Sequence, residues 1–129
     1  MPIFINSLFP FFAGNGLDAE ARQLIEDARR AIALAEKESG YADIAFAQTD
    51  PESETPNLKL AEIARWHYAQ SLKNYGDAVN LLGQAAKTGL PPKYRKYVEL
   101  KTKKCLEEMA YSNTRKIVLG VLLRTGSAK

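Results

Sequence analysis

Few residues in this 129-residue chain have the types and spacings that chemistry requires. Histidine and cysteine occur once each, as His67 and Cys105. His67 adjoins Tyr68 in a stretch of helical periodicity, with no Glu-x-x-His or His-x-x-x-His spacing around it. It therefore reads as a flanking histidine satisfied by a neighbour rather than as a metal ligand. Cys105 falls on an apolar helical stripe and reads as a small core residue rather than a nucleophile. Carboxylates are paired at Glu36 and Glu38 and at Glu107-Glu108. Helical neighbours one or two positions apart do not face each other, so these pairs cannot share a proton. Glu99 and Lys103 have instead the i,i+4 spacing of a surface ion pair. No catalytic group, metal or cofactor is expected from this inventory.

Two further patterns touch on phosphate chemistry. Gly14-Asn15-Gly16-Leu17-Asp18-Ala19 matches G-x-G-x-x-A, where glycines let a backbone approach a pyrophosphate at a helix N-terminus. That reading needs a strand before it, and Pro10 stands where the strand would have to donate to a ladder. No later stretch alternates like a strand, so the pattern is better read as a loop leading into an Asp18 helix cap. The second pattern is the cationic stretch Lys93, Arg95, Lys96, Lys101, Lys103 and Lys104, interleaved with Tyr94 and Tyr97. This composition suits backbone tracking and base stacking, so nucleic-acid binding through Lys93 to Lys104 is an alternative function.

The elements that must position these residues are helices. Leu17 to Ser39 carries an apolar stripe at Ala21, Leu24, Ile25, Ala28, Ala31, Ile32 and Ala35, and Gly40 is expected to end it. Tyr41 to Thr55 reads as a joint, with Asp50-Pro51-Glu52-Ser53-Glu54-Thr55-Pro56 polar and helix-breaking. Thr55 with Pro56 at the first helical position is expected to open the next helix. Leu58 to Gly89 then reads as two helices folded back over an Asn74-Tyr75-Gly76 turn, with Asp77 capping the second. After Pro91-Pro92 a long helix is expected to reach about Leu123, with Ser112-Asn113 as a kink site. Its last run, Ile117 to Leu123, is apolar all round and must be covered on more than one face.

The apolar fraction of 46% and charged fraction of 26% are ordinary for a globular domain, so one core of this size needs no metal or disulfide support. A lone cysteine excludes an internal disulfide framework and fits a reducing, cytoplasmic setting. No apolar run is long enough for a membrane-spanning helix. Charge is unevenly spread: residues 1–60 hold 5 Lys/Arg against 10 Asp/Glu, a balance of −5, and residues 61–129 hold 13 against 5, a balance of +8. Either the halves neutralise each other across a bundle or the basic half meets an acidic partner. The opening Met1 to Phe12 has no charged side chain and contains Phe4, Phe9, Phe11 and Phe12. Such a patch is costly in water, so the arm either folds back, docks on a partner or lies on a membrane surface.

Asn74-Tyr75-Gly76-Asp77-Ala78 through Ala86, followed by Pro91, resembles the second helix of a tetratricopeptide repeat. It is equally similar to the second helix of a microtubule-interacting-and-trafficking (MIT) domain, and Leu100 to Ala110 is similar in pattern to the third helix of that module. Trp66 departs from the tetratricopeptide pattern, standing where a small residue is expected. Across residues 58–111 the resemblance implies a scaffolding domain that accepts a partner helix or strand in an interhelical groove. Tyr97, Lys101, Lys104 and Glu108 would then form its charged strip.

The chain is thus expected to be an all-α antiparallel bundle of about four helices over residues 17–125. An apolar arm (1–16) precedes it and a tail (126–129) follows. The expected role is a non-enzymatic protein–protein interaction module or small assembly subunit, able to self-associate. Its contact residues would be Phe4, Phe9, Phe11, Phe12, Tyr97, Lys101, Lys104, Glu108, Val118 and Leu122.

Overall fold

The computed structural model describes residues 17–126, and they form three long helices: α1 (Ala19–Thr49), α2 (Leu58–Ala86) and α3 (Pro92–Thr125). Among the described residues the architecture is all-α, with three helices where about four were expected. The missing fold-back is at Asn74-Tyr75-Gly76, which lies within α2. The reason is the seam that runs through it. Ala61, Ala64, Tyr68, Ser71, Tyr75, Ala78, Leu82 and Ala85 are all buried, at alternating steps of three and four. A turn at Gly76 would cut that stripe in two, and a mid-helix glycine costs only about 1 kcal/mol relative to alanine. Continuous burial outweighs that cost. Asp77, freed from capping, pairs with Lys73 at 3.6 Å along the same helix.

The same logic carries α1 past Gly40. Ser39, Ala42, Ala45 and Thr49 continue its buried face for about two and a half further turns. The helix stops at Asp50, whose left-handed conformation (φ 52°) ends the hydrogen-bonded ladder. The joint is accordingly shorter than expected, and Asn57, not Thr55, caps α2 by accepting a hydrogen bond from the Leu60 amide at 3.1 Å. Asp18 caps α1 as expected, its Oδ1 accepting from the Ala21 amide at 2.7 Å. The helix expected to end near Leu123 continues to Thr125 and passes through Ser112-Asn113 without interruption.

α2 is the middle element. α1 and α3 both pack along it, antiparallel to it and parallel to each other, and their own backbones hardly meet. The small seam residues of α1 and α2, most of them alanine, let these two helices lie close. Buried apolar residues form two clusters. One joins Ile25, Ala28, Tyr75, Leu82, Tyr94, Val98 and Cys105; the other joins Ala42, Ala45, Ala61, Ala64, Tyr68, Leu119 and Leu122. Between them the buried positions turn polar, with Ser39, Ser71 and Ser112 on α1, α2 and α3. Ser71 is satisfied through the Ala35 carbonyl at 3.1 Å.

Candidate functional site

At this polar waist α1 and α3 stand apart and enclose a cleft of about 330 Å³. Ile32, Glu36, Ser39, Gly40 and Asp43 of α1 form one wall, and Lys101, Lys104, Cys105 and Glu108 of α3 form the other. Tyr75 of α2 supplies the floor. Gly40, the expected helix stop, contributes instead an absent side chain: a Cβ there would meet nothing within 4 Å.

Both ends of the cleft are tied across. At one end the Arg29 guanidinium donates to the Tyr97 hydroxyl at 2.7 Å. At the other, Asp43 accepts from the hydroxyls of Tyr68 and Tyr111, and Arg115 stands 3.7 Å away. The Arg115 guanidinium also donates to the Tyr68 hydroxyl at 3.2 Å and lies over the rings of Phe46 and Tyr111, at 4.2 and 4.8 Å from their centroids. The α1 members Glu36 and Asp43 lie seven positions apart, so about two helical turns set their spacing.

Burial drives the electrostatics of the floor. It pushes the Tyr75 phenol above its ordinary range, and the carboxylates of Glu108, Glu36 and Asp43 push in the same direction. Burial likewise raises the Cys105 thiol against an opposing pull from Lys101, which disfavours the nucleophilic thiolate. The cations of the cleft are partly engaged. Lys104 pairs with Glu108 at 3.2 Å, and the Lys101 ammonium stands 5.8 Å from the centroid of the Tyr97 ring.

Of the residues expected to bind a partner, Lys101, Lys104 and Glu108 come together on one wall, with Tyr97 at the end of the cleft rather than inside it. Val118 is half-buried. Leu122 is fully buried at 0% exposure, inside the cluster formed with α1 and α2, and so offers no docking surface. Of the run Ile117 to Leu123, expected to need cover on several faces, only the Leu119 and Leu122 face is sealed, against Ala42, Ala45, Ala61 and Ala64, whereas Ile117 stays 59% exposed and Val118 and Val121 half-buried. Phe4, Phe9, Phe11 and Phe12 lie outside the described residues. Glu36, Ser39, Asp43 and Tyr75 were not anticipated as one site. Their signal was the Glu36 to Asp43 heptad step, hidden by reading Gly40 as a helix end.

A second concavity, about 710 Å³ and apolar, runs between α2 and α3. Leu82 and Val98 form its sealed base; Gly83, Ala86, Leu106 and Ala110 shape its walls; Glu99, Lys103 and Glu107 edge it. The cations of α3 are thereby divided, Lys101 and Lys104 on the cleft and Lys103 on this groove. His67 is held as expected, its Nδ1 2.7 Å from a Glu38 carboxylate oxygen. Around it Trp66 and Tyr41 are exposed, Trp66 at 57%.

Among the described residues no group of three or more His, Cys, Asp or Glu side chains is arranged to hold a metal ion. No described helix is long and apolar enough to cross a membrane. Comparison with protein-family models, curated proteins and solved structures gives no match.

Proposed function

We propose that this chain is a non-enzymatic interaction module whose α2–α3 groove receives an apolar helix of a protein partner. One observation carries the proposal: a concave apolar trough lies between two antiparallel helices, edged by Glu99, Lys103 and Glu107, and Leu106 stands 52% exposed on its wall. From Val98 to Ala110 the trough spans about three helical turns, roughly 18 Å, which suits apolar anchors at i, i+4 and i+7. Glu99, Lys103 and Glu107 recur every fourth residue on its edge and would set the partner's register through charge. The strip that the tetratricopeptide and MIT resemblance implied lies elsewhere, with Lys101, Lys104 and Glu108 on the α1–α3 cleft, so this groove is proposed from its own lining.

The distribution of cations supports the nucleic-acid alternative less well. Lys101, Lys103 and Lys104 are divided between two concavities that also carry glutamates, whereas phosphate tracking needs an unbroken basic strip.

The test is selection from a displayed library of amphipathic helical peptides against the full chain. Enriched peptides should share apolar anchors three or four residues apart and lose binding to the Leu106→Glu variant, whose circular dichroism should match the parent. Failure to enrich such peptides, or binding indifferent to Leu106→Glu, would overturn the proposal.

A further inference from the structure

The α1–α3 cleft has a feature that packing does not account for. Tyr75 is only 3% exposed, yet its hydroxyl lines the cleft and makes no hydrogen bond to a described residue. Packing seals the ring but leaves the hydroxyl facing the cleft, where a ligand or water, rather than a described side chain, must serve as its hydrogen-bond partner. Around that hydroxyl stand Glu36, Asp43 and Glu108 with the small polar Ser39, while Gly40 leaves the wall open. Among the described residues Glu36 has no ion-pair partner, and Lys104 pairs with Glu108.

We infer that the cleft is a binding site for a small aliphatic amine, its ammonium group seated between Glu36 and Glu108 and hydrogen-bonded to the Tyr75 hydroxyl. The charges and the floor select this class. An ammonium ion offers three donors to two carboxylates and a phenolic oxygen, and the phenol remains neutral because burial and the same carboxylates oppose its ionisation. An anion would meet the carboxylates of Glu36, Asp43 and Glu108, while of the cations beside them Lys104 is paired with Glu108, Arg115 stands by Asp43 and Arg29 donates to the Tyr97 hydroxyl. The methylene chain of the amine would rest on Ile32 and the Cys105 side of the wall, and a second ammonium could reach toward Asp43. At about 330 Å³ the cleft sits at the small end of ligand sites, which suits a chain of a few carbons. This site is independent of the α2–α3 groove, since the two concavities share no lining residue.

The test is titration of the full-length protein with 1,4-diaminobutane, followed by amide chemical shifts, with succinate and sodium chloride as matched controls. Saturable shifts should appear at Gly40, Tyr75 and Cys105 with the diamine and be absent with succinate. Tyr75→Phe removes one charge-assisted hydrogen bond and should weaken binding roughly tenfold. Glu36→Gln, a change at an exposed position that leaves the fold intact, should weaken it at least as much. Lys104→Gln supplies the opposite sign: it frees Glu108, so it should tighten the diamine, whereas at an anion site the same change would weaken the ligand. Absence of saturation with the diamine, equal response to succinate, or weakened diamine binding in Lys104→Gln would each overturn the assignment.

Discussion

Tyr68, at the centre of the middle helix, donates its hydroxyl proton to Asp43 on the neighbouring helix. That one contact closes the cleft at its far end, because Asp43 also accepts from Tyr111 at 3.0 Å and so ties all three helices together. The Tyr68 ring is fully buried while its hydroxyl reaches a half-exposed carboxylate. Packing and polar positioning thus meet in a single side chain.

Tyr68→Phe keeps the ring and removes only the hydroxyl. It should cost about 1–2 kcal/mol, the range for a hydrogen bond to a charged group, and lower the melting temperature by roughly 3–6 °C. Thermal unfolding followed by circular dichroism checks this. An unchanged melting temperature would mean that Tyr111 and Arg115 satisfy Asp43 without Tyr68.

Gly76→Ala separates a continuous α2 from two helices joined by a turn. In a continuous helix, alanine at this position is favoured by about 0.5–1 kcal/mol, and its methyl would meet only the Met109 side chain at 3.9 Å, an ordinary contact. Urea denaturation should therefore show a stabilised variant. Destabilisation would point to a left-handed glycine and a turn.

Leu122→Ala distinguishes core from docking surface. The side chain is sealed between α1 and α2, so truncation should cost about 2–5 kcal/mol. Ile117→Ala, at a position 59% exposed, should change stability by no more than about 0.5 kcal/mol. Denaturant midpoints of the two variants supply the comparison.

Stability should fall on the alkaline side. Burial, reinforced by the Asp43 hydrogen bond, raises the Tyr68 phenol, and burial with Glu108 raises that of Tyr75; burial also raises the Cys105 thiol. Each group is protonated in both states below its unfolded value, so its contribution is complete there. As pH climbs past about 9 for the thiol and about 10 for the phenols, the unfolded chain releases its protons first and stability is lost. Urea midpoints measured from about pH 8 to pH 11 should be flat and then decline. Tyr68→Phe should make the decline shallower.

The helical class, the Asp18 cap, the Pro91-Pro92 start of α3 and the core placement of Cys105 were all legible in the chain, because each depends on neighbours within a turn or two. Local signals also suggested breaks at Gly40 and Gly76, and there the structure differs. A glycine's preference for turns is worth about 1 kcal/mol, and a seam that buries Tyr68, Tyr75 and Leu82 against two partner helices outweighs it. Whether Leu122 is sealed or exposed, and whether Lys101 and Lys104 face the same space as Glu36 and Asp43, depends on the separation and rotation of α1 and α3 about α2. Periodicity along one helix sets which residues share a face; only the packing of the other two decides what that face meets.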